Sequence, residues 1–161
     1  MSGPFSGIKV LDLGSMVAGP GAATVLSDQG ADVVKVEPPG LGDLMRHLST
    51  NRGGVSGLYH NVNRGKRSLA LNLKSELGVE IICKLAEQVD VVLQNFRPGV
   101  AKRLGVDYES LREYNPNLIY LSASGFGDQG PYKDKPAYDA VIQAFAGVSR
   151  SQEDPHTGES V

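Results

Sequence analysis

Several things are scarce in this sequence, and each scarcity removes a class of function. There is one cysteine, Cys83, so no intrachain disulfide can form. Its setting in IICKLAEQ places it on the apolar face of a helix, as a buried structural thiol. No charge of either sign is in excess: sixteen basic residues face eighteen acidic ones, for a net charge of -2. The basic footprint of a nucleic-acid binder is missing, and any anion site must be local. His47, His60 and His156 lack the mutual spacing or neighbouring cysteine of a metal site, and Asp43, Asp107, Asp128, Asp134 and Asp139 are scattered in turn-like contexts. No metal is expected. No basic segment runs into a long apolar stretch at the N-terminus, and no apolar run reaches membrane-spanning length. A cytoplasmic protein without a membrane partner is the expectation.

What is present is an ordinary domain's worth of apolar residues, 40% of 161, enough for one real core. Gly7–Leu13 reads as a strand, followed by a small-residue loop and a short helix over Ala22–Gln29 that ends at Gly30. Ala31–Glu37 is the next strand. Leu41–Lys66, rich in Gly and Asn, is longer than a plain connection should be and is suspected of function or mobility. Arg67–Leu73 alternates as a strand, and Ser75 can cap a helix running to about Gln88 with Leu77, Ile81 and Leu85 at helical spacing. Val91–Phe96 is a further strand. Short helices near Val100–Leu104 and Tyr108–Tyr114 lead to a fifth strand, Leu118–Ala123. A last helix, Ala137–Ala146, puts Tyr138, Val141, Ile142 and Phe145 on one stripe, before a polar tail with no further packed element. Alternating helices and near-continuous apolar strands predict an α/β fold, a Rossmann-like doubly wound sheet, mainly parallel, with helices on both faces.

Ligands of such sheets sit outside the carboxyl ends of the strands. In VVLQNFRPGV, Asn95 and Phe96 stand where a strand gives out into an Arg-Pro-Gly turn, which marks a pocket lip. Arg97, Lys102 and Arg103 follow at once and can grip a phosphorylated ligand by charge-assisted hydrogen bonds. A second basic cluster, Arg64, Lys66 and Arg67, has surface charge as its ordinary meaning. Gly14, Gly19 and Gly21 form a tight turn that leaves free amides at a helix start, a candidate ligand contact. The turn is not a dinucleotide fingerprint: Thr24 falls where that pattern needs Gly or Ala, and Gly14 is too far upstream, so NAD is not expected even though Glu37 stands where a ribose-binding acid would. A P-loop would need Lys and then Ser or Thr where this chain has Pro20 and Gly21.

Taken together, the blocks GIKVLDLGSMVAGP, GADVVKVEPPGLGD, NRGKRSLALNLK, VVLQNFRPGVAKRLG, LIYLSASGFGDQGPY and AYDAVIQAFAG resemble the N-terminal part of class III CoA-transferases, the formyl-CoA-transferase-like (CaiB/BaiF) family, from about Pro4 to Gly147. The resemblance implies a Rossmann-like large domain plus a small domain, and two ring-shaped subunits interlocked as a homodimer. This chain is then expected to be incomplete: residues 1–147 form a CoA-binding region, and 148–161 a polar tail where the family chain would continue. The implied activity moves CoA between an acyl-CoA thioester and a carboxylic acid through an aspartyl-CoA intermediate, with CoA as carrier and no metal or NAD. By matching positions, Met16, Val17, Leu71, Asn95, Phe96 and Arg103 would line the CoA site. Pro38 stands where one relative has a phosphate-binding Arg, and Lys135 or another cation is expected to compensate.

The same resemblance puts the nucleophilic Asp beyond Val161, so the chain alone is expected to be inactive. Tyr138 is a possible assisting residue. In the related 2-methylacyl-CoA racemases a His that takes the α-proton holds that position, and a Tyr, with a pKa of about 10, is a poor base at neutral pH. The transferase reading therefore stands ahead of a racemase. The alternative is an inactive CoA or acyl-CoA binding module, or an assembly partner.

Overall fold

The short apolar segments become five strands of one sheet: β1 (Lys9–Asp12), β2 (Asp32–Glu37), β3 (Arg67–Ala70), β4 (Val91–Gln94) and β5 (Ile119–Ser122). All neighbours are parallel, in the order β3-β2-β1-β4-β5. Parallel neighbours need crossovers, and helices supply them: α1 (Ala18–Asp28) between β1 and β2, α2 (Gly57–Asn63) before β3, α3 (Glu76–Ala86) before β4, and α4 (Val100–Leu104) with α5 (Tyr108–Leu111) before β5. The computed structural model describes residues 3–48, 50–152, 154 and 156–159.

Strand alternation divides the core in two. Val10, Val33 and Leu93 pack with Ala23 of α1 and with Ala31 on one face. Leu11, Val36 and Val92 pack with Ile82, Cys83 and Ala86 of α3, and with Ala101, Val106 and Leu111, on the other. Both faces are covered by helices, as a doubly wound α/β sheet requires. Cys83 is buried in the second of these clusters.

Two segments differ from expectation. Residues 41–66 are not a bare connection. Asp43 caps a 3-10 turn, Leu44–His47, by accepting from Met45 N at 3.0 Å, and Ser56 caps α2. Between them Asn51–Arg52 pairs antiparallel with Val55–Ser56. Gly53 and Gly54, with φ of 65° and 85°, make the two-residue turn between them, which needs two consecutive left-handed residues. The second difference is the buried face of α3. Leu77 is 65% exposed, and Gly78, Ile82, Cys83 and Ala86 bury instead. At Gly78 a Cβ would lie 2.0 Å from the Asn72 carbonyl oxygen, so a larger residue does not fit there.

Contacts divide the chain into two compact units, residues 1–123 and 124–161, and the expected change at 147/148 falls inside the second. That unit holds α6 (Asp139–Phe145) and α7 (Val148–Ser151). Phe126, Tyr132 and Phe145 form a mutual aromatic cluster in it, with ring centroids 5.0 to 5.7 Å apart. The stripe expected on its helix is not a buried one: Tyr138 and Phe145 are well exposed and no residue of α6 is buried. No helix among the described residues is long and apolar enough to cross a membrane.

Candidate functional site

A cavity of about 550 Å³ opens at the carboxyl ends of β1, β2 and β3, with α4 as its far wall. Met16 comes from the loop after β1, Pro38, Leu41 and Leu44 from the loop after β2, Leu71 to Lys74 from the loop after β3, and Phe96, Val100, Arg103 and Leu104 from β4's exit and α4. The walls are mostly apolar. Among the described residues lining it, Lys74 and Arg103 are cations without a carboxylate partner, whereas Lys35, Glu37 and Asp43 are consumed by one another's neighbours. The arrangement suits a molecule with an apolar body and an anionic end.

Of the residues expected at a ligand site, the structure brings Met16, Leu71, Phe96 and Arg103 around this one cavity. Val17 stands beside it, half exposed, at the N-cap of α1. Asn95 does not line the cavity. Its Oδ1 accepts from Ser15 N at 2.8 Å and its Nδ2 donates to Ser15 O at 2.9 Å, so its amide ties the loop after β1 to the end of β4. Gly14 and Gly19 are needed for this approach: a Cβ at either would lie 3.0 Å from Asn95 Oδ1. Gln94 acts in parallel, donating to Ser122 Oγ at 2.7 Å and accepting from Phe96 N at 2.6 Å, which sets the direction in which Phe96 leaves the strand. Lys135 and Tyr138 belong to the second unit, where Lys135 Nζ lies 4.8 Å from the centre of the Tyr132 ring.

The basic cluster at Arg64, Lys66 and Arg67 separates on folding. Arg64 pairs with Asp28 and Arg67 with Asp32 at the surface. Lys66 turns inward, where its ammonium donates to Asp12 Oδ2 (2.8 Å), Pro20 O (2.7 Å), Val62 O (2.8 Å) and Asn63 Oδ1 (3.1 Å). Burial pushes the Lys66 ammonium below its ordinary value, against the opposing charge and hydrogen bond of Asp12.

Sequence reasoning passed over the charges under the cavity. Asp12 and Lys35 are register partners on β1 and β2 and point to the same face. Both are fully buried, with Lys35 Nζ 4.0 Å from Asp12 Oδ2 and 3.0 Å from Asp43 Oδ2, and bonded to Gly14 O as well. One signal for them was legible: a Lys and an Asp in the middle of apolar parallel strands must be paired if buried. Next to them, Glu37 accepts from Arg46 Nε and Nη2 at 2.7 Å each, from Tyr59 Oη at 2.7 Å and from Asp43 N at 2.8 Å. Burial would raise its carboxyl pKa, but the Arg46, Asp43 and Tyr59 hydrogen bonds and the Arg46 charge outweigh it and bring the value down to about 2. Four donors leave this carboxylate little capacity for a ribose hydroxyl, although it stands where such an acid would. Among the described residues no cluster of His, Cys, Asp and Glu is arranged to hold a metal ion.

In sequence and fold the chain is similar to known proteins. The sequence model of CoA-transferase family III matches residues 5–160. An acetyl-CoA:oxalate CoA-transferase of Acetobacter aceti is 47% identical over 146 residues, which are 91% of this chain and 38% of that protein. A succinyl-CoA:glutarate CoA-transferase of Homo sapiens is 42% identical, over 90% of this chain and 33% of its own length. Among solved structures, a CAIB/BAIF family protein from Brucella suis superposes with a TM-score of 0.87 at 40% identity, covering 93% of this chain and 41% of the other. The chain thus spans between a third and two-fifths of the length of these curated relatives.

Proposed function

The chain belongs to CoA-transferase family III, and from that membership we propose that it holds CoA in an enzyme that moves CoA between an acyl-CoA thioester and a carboxylic acid. The observation that carries the reading is the cavity at the strand ends, apolar along its walls and bearing Lys74 and Arg103, cations without a carboxylate partner among the described residues. Phosphate groups take charge-assisted hydrogen bonds from such cations, and a guanidinium can offer two at once. Met16, Leu71 and Phe96 supply wall for the apolar body of the ligand. Asn95 acts one step back, by fixing the Ser15 backbone next to Met16.

The acyl-carrying carboxylate is proposed to be an aspartate outside these 161 residues, working through an aspartyl-CoA thioester. A covalent intermediate splits one difficult transfer into easier steps. Among the described residues Asp43 is the aspartate that lines the cavity, and its oxygens are taken by Lys35, Met16 N and Met45 N. The 161 residues by themselves are proposed to bind CoA without exchanging it. A cytoplasmic homodimer is proposed for the enzyme, and the exposed Ile119 and Leu121 on the edge strand β5 favour assembly.

Titration calorimetry tests the reading. CoA should bind more tightly than dephospho-CoA, and Arg103→Ala should weaken CoA by about tenfold or more, the worth of a hydrogen bond to a charged group. Absence of heat with CoA overturns the proposal. An enzyme containing this chain that binds CoA but exchanges it with no carboxylic acid in a panel would reduce it to a binding module.

A further inference from the structure

The charges beneath the cavity have no part in the transfer proposed above, yet they make an ordered row. Lys66, Asp12, Lys35 and Asp43 alternate in sign from the start of β3 to the cavity wall. At the cavity end of the row, Met16 N donates to Asp43 Oδ1 at 3.1 Å and to Oδ2 at 3.2 Å. Met16 is the one non-glycine residue with a positive φ among those described, at 64°. An L side chain disfavours that conformation, so something must hold it. The preceding amide, Ser15 N, is held by Asn95. Two side chains, Asn95 at the exit of β4 and Asp43 in the loop after β2, therefore clamp consecutive amides of the loop that brings Met16 to the cavity.

Resting on the CoA-binding reading, we infer that Asp43 is the positioning residue of this site: paired with Lys35, it holds Met16 in the left-handed conformation and so sets the affinity for CoA through the Met16 turn. Asp43 is placed for this by its own surroundings. Its backbone N–H donates to Glu37 Oε2, and its side chain caps the following 3-10 turn through Met45 N. The carboxylate is thereby held by contacts independent of Met16. Had Asp43 served only to neutralise Lys35, its removal would act in the same way whatever residue stood at position 16. A positioning role makes the effect depend on that residue.

Calorimetry with CoA on a set of variants separates the two. Asp43→Ala should weaken binding by about 5- to 30-fold, since a turn released from its anchor must be restored before the ligand fits. In a Met16→Gly background the same change should cost less than about threefold, because glycine enters the left-handed region freely. Asp43→Glu keeps the charge beside Lys35 but displaces the oxygens from Met16, and carries the same comparison if the alanine variant does not fold. Met16→Val should bind more weakly than Met16→Ala, a β-branched residue being the worse occupant of that conformation. Equal losses in the wild-type and Met16→Gly backgrounds, or equal binding by Met16→Val and Met16→Ala, would overturn the assignment. Wild-type protein that gives no heat with CoA would instead remove the CoA reading itself, before any variant is compared.

Discussion

Acid should loosen this fold through Glu37. Glu37 is 4% exposed and receives four hydrogen bonds, two of them from the guanidinium of Arg46, whose planar face also lies 3.9 Å from the centre of the Tyr59 ring. Its pKa of about 2 lies below the 4.5 of a free glutamate. A depression of that size is worth on the order of 3 kcal/mol at neutral pH. Because the folded value is the lower one, the contribution is complete above pH 4.5, decays as pH falls, and is gone below about 2. By pH 3 about 2 kcal/mol of it should have been lost.

Glu37→Gln isolates this contribution from every other carboxylate that titrates over the same range. The variant keeps the volume but loses the charge and turns an amide N–H toward Arg46. Urea unfolding at pH 7 should show it less stable by about 3 kcal/mol, and at pH 3 the gap to wild type should have closed to about 1 kcal/mol. Parallel profiles, with the same gap at both pH values, would refute the electrostatic account and leave only the altered hydrogen bonding of the amide. The consequence extends to the cavity, since Glu37 holds Asp43 N and Arg46, and the segment between them carries Leu44 into the wall.

Other perturbations follow from the same geometry. Gly19→Ala would set a methyl 3.0 Å from Asn95 Oδ1 and 3.1 Å from Gly14 Cα; overpacking of that kind should cost about 1–3 kcal/mol in urea unfolding. Ile82→Ala should cost about 2–5 kcal/mol and Leu77→Ala less than about 0.5 kcal/mol; a larger loss at Leu77 would mean that the other stripe of α3 is the buried one. Lys66→Met leaves Asp12 with Lys35 at 4.0 Å as its remaining ionic partner, and should destabilise by about 3–5 kcal/mol, with part recovered in the double variant Lys66→Met/Asp12→Leu.

The features legible in sequence were those carried by neighbours in the chain. Apolar runs of four to six residues, interrupted by capping serines and glycine turns, sufficed for the five strands and most helices. Ser75 marks the start of α3 because a cap needs only the three residues that follow it. Of the same helix's buried face only Cys83 was legible, since Leu77-Ile81-Leu85 and Gly78-Ile82-Ala86 are both acceptable stripes and the choice rests on what the sheet presents. The Gly53-Gly54 turn was a local signal obscured by the length of the surrounding segment. At the cavity, Phe96 and Arg103 could be placed from the strand end and the turn that follows, while Leu41 and Leu44 could not, because they reach it through contacts made by Glu37 and Arg46.

Asn95 shows most clearly why position along the chain is a weaker guide than position in the sheet. A polar residue at a strand's carboxyl end is well placed to meet a ligand, and Phe96 beside it does line the cavity. In the sheet order, however, β4 lies next to β1, and their connections depart to opposite sides. At that junction the loop after β1 must turn sharply, with Met16 left-handed and Gly14 and Gly19 almost in contact. Its amides would be costly to leave unpaired. Asn95 has a donor and an acceptor at a reach that satisfies Ser15 on both sides, and Asp43 satisfies the next amide from β2's side. The polar residues at the strand ends are therefore first the support of a strained loop, and the ligand surface is what that loop, once supported, presents.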